Sequence, residues 1–158
     1  MRLLLVCVGR LKAGPERALA ERYLERAGVI GRNVGIAIDE REIEESRARR
    51  AQERSREEAK AIRSLVGEAR FIACDPAGKS LTSEDFAAEL GRSRDRAISA
   101  LAIAIGGPDG LDRDLRRSAD LLLAFGTMTW PHQLARIMLA EQIYRATTIL
   151  AGHPYHRI

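Results

Sequence analysis

Five short apolar runs, separated by helical patterns, place the strongest limit on the folds open to this chain. The runs occupy residues 2–8, 34–38, 70–74, 101–105 and 121–124, and the helical patterns about 14–27, 41–66, 82–91, 112–118 and 131–150. Strands that alternate with helices predict a mostly parallel sheet covered by helices on both faces. The runs are continuously apolar, which is typical of strands buried on both sides. We therefore expect an α/β fold and one domain over residues 1–158.

The composition predicts a cytoplasmic protein without a membrane segment. Hydrophobic residues make up 46% of the chain and charged residues 30%, which is ordinary for a globular protein. No apolar run approaches the roughly 18 residues needed to span a bilayer. The first run, Leu3–Val8, is also too short for a signal peptide and lacks its cleavage pattern.

The few cysteines and histidines predict neither a metal site nor a nucleophilic catalyst. Cys7 and Cys74 both lie in apolar runs, where a free cysteine behaves as a small hydrophobic residue. His153 and His156 lack a third ligand at metal-binding spacing. No serine lies in a nucleophile elbow. We expect both cysteines to be structural.

The most highly charged part of the chain is the segment from residue 40 to residue 60. Fourteen of its 21 residues are charged, seven of each sign. This composition fits either a disordered linker or a solvated helix. Mixed signs with interspersed alanine and isoleucine favour the helix. We expect no direct catalytic role for it.

A glycine-rich loop follows the fourth apolar run. Gly106, Gly107 and Gly110 permit unusual backbone angles and let backbone amides approach a ligand closely. In open α/β sheets ligands bind beyond the carboxyl ends of the strands, so the chain after the third, fourth and fifth runs should converge on one site. The spacing matches neither the dinucleotide fingerprint nor the phosphate loop, and Asp109 would repel a pyrophosphate. Taken alone, the loop fits a tight turn as well as a ligand site.

The loop after the fifth run, from Phe125 to Trp130, mixes apolar side chains with Gly126 and two threonines. Its backbone groups can bind an uncharged heterocycle while Phe125, Met128 or Trp130 packs on the ring face. An adenine-bearing ligand that is neutral or cationic therefore fits better than a nucleoside triphosphate. A plain strand-to-helix connection is the alternative.

The last helical pattern, residues 131–150, is apolar on more than one side. A surface helix needs only one apolar face. The pattern favours a helix wedged between its own sheet and a second subunit, and hence a homodimer. The alternative is complete burial within the monomer. Glu141 and Arg145 stand four residues apart in the order that favours an ion pair.

The chain ends in a segment of unusual composition, His153 to Arg157. Termini usually fray and carry small polar residues. Imidazole, aromatic and guanidinium groups together suit contacts with a nucleobase and a phosphate. The formal charge of +4 agrees with an RNA partner but is a weak indication. Packing of this segment on a partner subunit is the alternative.

Four motifs occur in order along the second half of the chain: Ile105–Leu111, Met128–Arg136, Glu141–Ala146 and Pro154–Arg157. The opening Val8–Lys12 and the middle Cys74–Lys79 extend the match over the whole length. In these motifs the chain resembles the RlmH family of bacterial methyltransferases. These enzymes modify N3 of a pseudouridine in the large-subunit ribosomal RNA and belong to the SPOUT class.

The resemblance implies a fold, a cofactor and partners. The fold would be a parallel α/β sheet with a C-terminal trefoil knot, one of the rare knotted exceptions among proteins. The cofactor would be S-adenosylmethionine, and the protein would be a homodimer that binds helix 69 of 23S ribosomal RNA across its two subunits. The positions that match the cofactor loops are Cys74, Gly106, Phe125, Gly126, Thr127, Met128, Thr129 and Trp130.

The chemistry of this reaction suggests three catalytic residues. N3 of a pseudouridine is protonated at neutral pH and must lose its proton before methylation. His156 is the candidate base, because imidazole titrates nearest neutrality. Arg145 would stabilise the negative charge that develops on the pseudouridine ring, and Tyr155 would orient that ring or stack on it. A SPOUT enzyme acting on transfer RNA and a non-catalytic nucleotide- or RNA-binding domain are the competing hypotheses.

Overall fold

A single five-stranded parallel sheet forms the centre of the fold in the computed structural model, which describes residues 1–155. The strands are β1 (Arg2–Val8), β2 (Ala37–Ile43), β3 (Arg70–Ser80), β4 (Ala100–Ile105) and β5 (Leu121–Ala124), and their order in the sheet is β2-β1-β4-β3-β5. The helices are α1 (Pro15–Asn33), α2 (Ala51–Val66), α3 (Ser83–Asp95), α4 (Arg113–Arg117) and α5 (His132–Leu150). The predicted parallel α/β architecture is confirmed.

The sheet is buried on both faces, as the continuous apolar runs predict. Alternate residues of β1 and β4 point to opposite sides. One face carries Leu3, Leu5, Leu101 and Ile103 and packs against α1, α3 and α5. The other face packs against α2 and α4, with core residues Leu4, Val6, Ala102, Ala104, Ala59, Ile62, Leu111 and Leu115.

The second strand is displaced from its predicted position. Sequence patterning predicts a strand at 34–38 and a helix from 41, whereas β2 runs from 37 to 43 and α2 begins at 51. The prediction of helix for residues 41–50 is therefore wrong. Residues 39–42 of β2 are all charged: β2 is an edge strand, and its Glu40 and Glu42 face a buried arginine of α5. Periodicity of apolar residues alone does not detect such a strand.

The third strand continues past its predicted end at residue 74. Cys74 and Lys79 both pair with Leu123 of β5, so the chain between them forms a bulge in the strand. The side chain of Asp75 stabilises the bulge by accepting a hydrogen bond from the Ala77 amide at 2.9 Å. Gly78 lies directly against β5, and a Cβ there would stand 2.6 Å from the carbonyl carbon of Leu122. Apolar composition ends at the bulge, although strand pairing resumes after it.

Helix α5 lies between α1 and α3 on one face of the sheet. Its residues Leu139, Ala140 and Ile143 are fully buried by the chain's own elements. Burial within the monomer, the alternative reading, thus accounts for most of the apolar surface of this helix. Leu134 remains 43% exposed. Thr82 caps the start of α3, because its Oγ1 accepts a hydrogen bond from the Asp85 amide at 3.0 Å.

Within the described part of the chain, none of the helices is both long and apolar enough to cross a membrane.

Candidate functional site

A cavity of about 650 Å³ opens between the bulge of β3, at residues 74–76, and the loops that follow β4 and β5. These strands are neighbours in the sheet, so their carboxyl-terminal segments meet at one edge. Seven of the eight sequence-predicted cofactor residues line it: Cys74, Gly106, Phe125, Gly126, Met128, Thr129 and Trp130. Thr127 belongs to the same loop but is not part of the wall. The predicted convergence of three chain segments is confirmed, and the role of these residues in cofactor binding stays a prediction.

The loop between β4 and α4 forms one wall through a tight turn. The amide of Gly110 donates to the Gly107 carbonyl at 2.9 Å, with Pro108 and Asp109 at the corner. A Cβ on Gly106 would lie 2.9 Å from the backbone of Gly110 and of Leu111, so the turn closes only over glycine. The wall is therefore largely backbone, which suits hydrogen bonding to a heterocycle.

The opposite wall is the loop from Phe125 to Trp130. Gly126 has φ +92°, a conformation that favours glycine. The indole Nε1 of Trp130 donates to the Phe125 carbonyl at 3.1 Å and closes the loop on itself. Met128 and Trp130 are 69% and 39% exposed, so apolar side chains at the rim are open to a ligand.

Two carboxylates near the cavity are neutralised by arginines. Asp75 forms part of the wall, and its Oδ2 lies 3.1 Å from Nη1 of Arg116 in α4. Asp109 turns away from the cavity towards α2, where Arg54 holds it through two hydrogen bonds of 2.6 and 3.0 Å. The expected repulsion of a phosphate by Asp109 is consequently offset by Arg54. Sequence reasoning missed both partners, because nothing in the spacing links these arginines to the loops.

Cys74 and His132 are the titratable side chains of the wall besides Asp75. Burial, with a smaller contribution from the Asp75 carboxylate, raises the pKa of the Cys74 thiol to about 12. Cys74 therefore remains a thiol at neutral pH and acts as an apolar wall group. His132 begins α5, and its Nε2 lies 3.6 Å from Oε1 of Glu45.

The predicted catalytic residues Arg145 and Tyr155 form a separate cluster with Glu141. Nη2 of Arg145 lies 2.5 Å from Glu141 Oε1, which confirms the predicted ion pair. The hydroxyl of Tyr155 donates to the same oxygen at 3.2 Å, and the Arg145 guanidinium stands 5.1 Å from the Tyr155 ring centroid. Burial and the neighbouring Glu141 carboxylate raise the pKa of Tyr155, so its hydroxyl stays protonated. His156 lies outside the described residues.

This cluster does not line the cavity of its own chain. The structure thus brings the predicted cofactor positions together but leaves Arg145 and Tyr155 apart from them. Among residues 1–155, no group of three or more His, Cys, Asp or Glu side chains is arranged to hold a metal ion.

Comparison with known proteins relates this chain, with its parallel sheet and ligand-sized cavity, to methyltransferases. A family model described as a predicted SPOUT methyltransferase matches residues 1–156. A probable methyltransferase from Bordetella pertussis has a similar solved structure, with a TM-score of 0.50 at 10% identity over 92% of this chain and 95% of that chain. At that identity the likeness shows the fold alone. The matched family model places the chain in the class of SPOUT methyltransferases.

Closely similar sequences narrow this class. The ribosomal RNA large subunit methyltransferase H of Nitrobacter hamburgensis is 56% identical over 159 residues, covering 99% of each chain. The protein of the same name from Beijerinckia indica is 57% identical with the same coverage. The chain belongs to the family of ribosomal RNA large subunit methyltransferase H, and the resemblance identified from its motifs is confirmed.

Proposed function

We propose that the protein is an S-adenosylmethionine-dependent methyltransferase that modifies N3 of a pseudouridine in helix 69 of 23S ribosomal RNA, acting as a cytoplasmic homodimer. The family membership supports the ribosomal RNA substrate, since its relatives are named for that activity. The observation that carries the proposal is the cavity at the edge of β3, β4 and β5. It assembles seven of the residues that match the family's cofactor loops.

The cavity fits the cofactor in size and in the chemical character of its walls. Its volume of about 650 Å³ lies within the range of small-molecule sites, roughly 300 to 1,000 Å³. Its walls combine the backbone of the Gly106 turn with the apolar side chains of Phe125 and Met128. Such walls suit an adenine ring held by backbone groups. Arg116 and Arg54 offset the charges of Asp75 and Asp109, so these two carboxylates neither attract nor repel a charged ligand strongly.

When bound, the cofactor would supply a methyl group from its positively charged sulfur. The demethylated cofactor, S-adenosylhomocysteine, would be the leaving group. The chain must hold the RNA base in line with that methyl group and remove the N3 proton. His156 is the proposed base for this proton. Arg145, already charged and oriented by Glu141, is the proposed partner of the developing oxyanion. The protonated hydroxyl and ring of Tyr155 are proposed to orient the base by hydrogen bonding or stacking.

These roles require a second subunit. Arg145 and Tyr155 stand apart from the cavity wall of their own chain, so one chain by itself does not complete the proposed site. An apolar cleft of about 470 Å³ beside α5, lined by Leu19, Tyr23, Ile137 and Met138, offers a surface for a partner. We propose that the dimer forms there and that the tail of one subunit serves the cavity of the other.

The trefoil knot implied by the family is also part of this proposal. The bulged segment of β3 lies closely against β5, with Gly78 next to the backbone of Leu122. The chain that leaves β5 forms the cavity loop and then packs as α5 between α1 and α3. A knot at this point would hold the loop from Phe125 to Trp130 rigidly in place.

The decisive experiment measures methyl transfer from labelled S-adenosylmethionine to assembled ribosomes and, separately, to transfer RNA. We expect transfer to ribosomes alone. Calorimetry of the native protein with the cofactor tests binding independently of the RNA. Methylation of transfer RNA alone would favour a SPOUT enzyme that acts on transfer RNA. Absence of cofactor binding would favour a non-catalytic nucleotide- or RNA-binding domain.

The role of His156 is tested by replacing it with alanine under single-turnover conditions with both substrates saturating. His153→Ala is the comparison variant in the same tail: its imidazole is exposed, and its Nδ1 accepts a hydrogen bond from the Tyr155 amide at 3.2 Å, so it shows how far disturbing Tyr155 alone lowers the rate. We expect the rate to fall by about 100-fold or more for His156→Ala, in line with the contribution of a general base. An unchanged rate would remove His156 from the mechanism.

A further inference from the structure

Helix α2 and the segment before it are the charged part of the chain to which the proposed function gives no role. Their side chains do not line the cavity. One of them, Arg54, nevertheless joins its own helix to two other segments of the fold. Its Nε and Nη2 bind the two carboxylate oxygens of Asp109 at 2.6 and 3.0 Å. Its Nη1 donates to the carbonyls of Ala48 and Arg49 at 3.0 and 3.1 Å.

Asp109 occupies the corner of the turn that forms the cavity wall. Its neighbours Pro108 and Gly110 line the cavity, whereas its own carboxylate points to α2. Arg54 and Asp109 keep only 29% and 24% of their side-chain surface exposed. The hydrogen bond from Arg54 lowers the pKa of Asp109, so the carboxylate is ionised at neutral pH. A planar guanidinium that binds both carboxylate oxygens fixes orientation as well as distance.

Glu58 follows Arg54 by four residues in α2 and contacts the turn from Gly107 to Gly110 at Gly107. It is 5% exposed, and its Oε1 accepts a hydrogen bond from the Ser46 amide at 3.0 Å. A Cβ on Gly107 would lie 3.3 Å from its Oε2 and 2.9 Å from Val8 Cγ1, so the turn rests directly on this carboxyl group and on β1. The turn is thus held at Asp109 by Arg54 and at Gly107 by Glu58.

We propose that α2 holds one wall of the cofactor site in place. In this proposal Arg54 is a positioning residue that fixes the turn from Gly107 to Gly110 through Asp109. The inference rests on the proposed function, because it concerns the affinity of the same cavity for S-adenosylmethionine. Backbone groups bind a ligand well only when they are already in place, since ordering a loop on binding costs affinity. Arg54 contributes that order without contacting the ligand.

The test compares Arg54→Gln with Arg56→Gln, a matched control on the same helix whose side chain is exposed. We expect the dissociation constant for S-adenosylmethionine to rise about tenfold in Arg54→Gln, through lost pre-organisation, and to stay within twofold in Arg56→Gln. The KM for the cofactor should rise in parallel, while kcat at saturating cofactor stays within about twofold. Arg54→Lys keeps the charge but loses the two-pronged geometry, so it should restore only part of the affinity.

Two further measurements separate this role from a general loss of stability. Amide hydrogen exchange of the ligand-free protein should be faster across residues 106–111 in Arg54→Gln and unchanged in the control. Asp109→Asn should weaken binding as Arg54→Gln does, and the double variant should be no weaker than either single variant, because both changes break one contact.

Any one of three results would overturn the inference. These are unchanged cofactor affinity in Arg54→Gln, unchanged hydrogen exchange in residues 106–111 of that variant, and additive effects on affinity in the double variant. Native protein that fails to bind the cofactor would instead refute the proposed function. The titration of the native protein therefore comes first and distinguishes the two failures.

Discussion

Arg136 of α5 is held between two glutamates of the edge strand β2, with Nε 2.8 Å from Glu40 and Nη2 2.7 Å from Glu42. Its side chain is 6% exposed, and Glu42 also pairs with Arg17 of α1. The contact explains why a charged strand lies at this edge. It also secures the first turns of the helix that follows the cavity loop.

Replacing Arg136 with methionine should destabilise the protein by about 2 to 3 kcal/mol. Loss of one partner leaves the other charges of a buried pair uncompensated, at a cost of about 3 to 5 kcal/mol, and the partial exposure of Glu40 and Glu42 reduces it here. Denaturant unfolding measures the change. Arg10→Met is the control, because Arg10 pairs with Glu44 at the surface, and exposed pairs contribute about 1 kcal/mol or less. Equal losses in the two variants would contradict the assignment.

Glu42 should make stability depend on pH in the acid range. Burial alone would raise the pKa of Glu42, but Arg136, the Leu11 amide and Arg17 together lower it below the ordinary 4.5. A depressed carboxyl pKa stabilises the fold at neutral pH, and this stabilisation is lost as pH falls from about 5 towards and through the folded pKa. The difference in unfolding free energy between the native protein and Glu42→Gln should therefore shrink below about pH 5. A difference that stays constant from pH 7 to pH 3 would be inconsistent with this.

Two glycine-to-alanine changes should have opposite effects. A Cβ at Gly78 would lie 2.6 to 2.8 Å from backbone atoms of Leu122 and Leu123, so Gly78→Ala must displace β5 and should cost about 2 to 3 kcal/mol. Gly28 lies within α1, and a Cβ there would meet no atom within 4 Å, so Gly28→Ala should stabilise by about 0.5 to 1 kcal/mol. Thermal unfolding of both variants measures this. A neutral Gly78→Ala would show that β3 and β5 are not in close contact.

Mixing two inactive variants tests whether the tail serves the partner's cavity. Gly106→Ala disturbs the cavity wall, and Arg145→Gln removes a residue of the tail cluster. If each site combines one cavity with the other subunit's cluster, mixed dimers contain one intact site, and equal mixing should restore about a quarter of native methylation in a two-fold dimer. Each variant alone should remain inactive. No recovery after subunit exchange, shown by differently tagged chains, would place the cluster on the cavity of its own chain.

Local patterning predicted the elements that are apolar and failed for those that are charged. β1 and β4 are almost wholly buried and β5 is half-buried, and all three agree with their predicted ranges within one residue. β2 was misplaced because its side chains pair with charges on α5. β3 was cut short because a proline and a glycine interrupt its composition, although pairing with β5 resumes at Lys79. Apolar periodicity reports burial, and these two segments are held mainly by polar and backbone contacts.

The candidate site could be predicted in part. The glycines at 106, 107 and 110 and the loop from Phe125 were recognisable from their position after apolar runs, because parallel strands bring their carboxyl ends to one edge. Asp75 and His132 were not recognised as wall residues. The former is placed by the bulge in β3, and the latter by the direction in which α5 leaves the loop.

The sequence by itself determined the order of strands and helices, the glycine turn and the motifs that define the family. Each depends on local composition and spacing, which are present in the unfolded chain. Only the tertiary structure decided which charges meet. Arg54 and Asp109 are 55 residues apart, and Arg136 and Glu40 are 96 apart. A chain with so many arginines and glutamates offers many pairings of similar energy, and the docking of helices on the sheet selects among them.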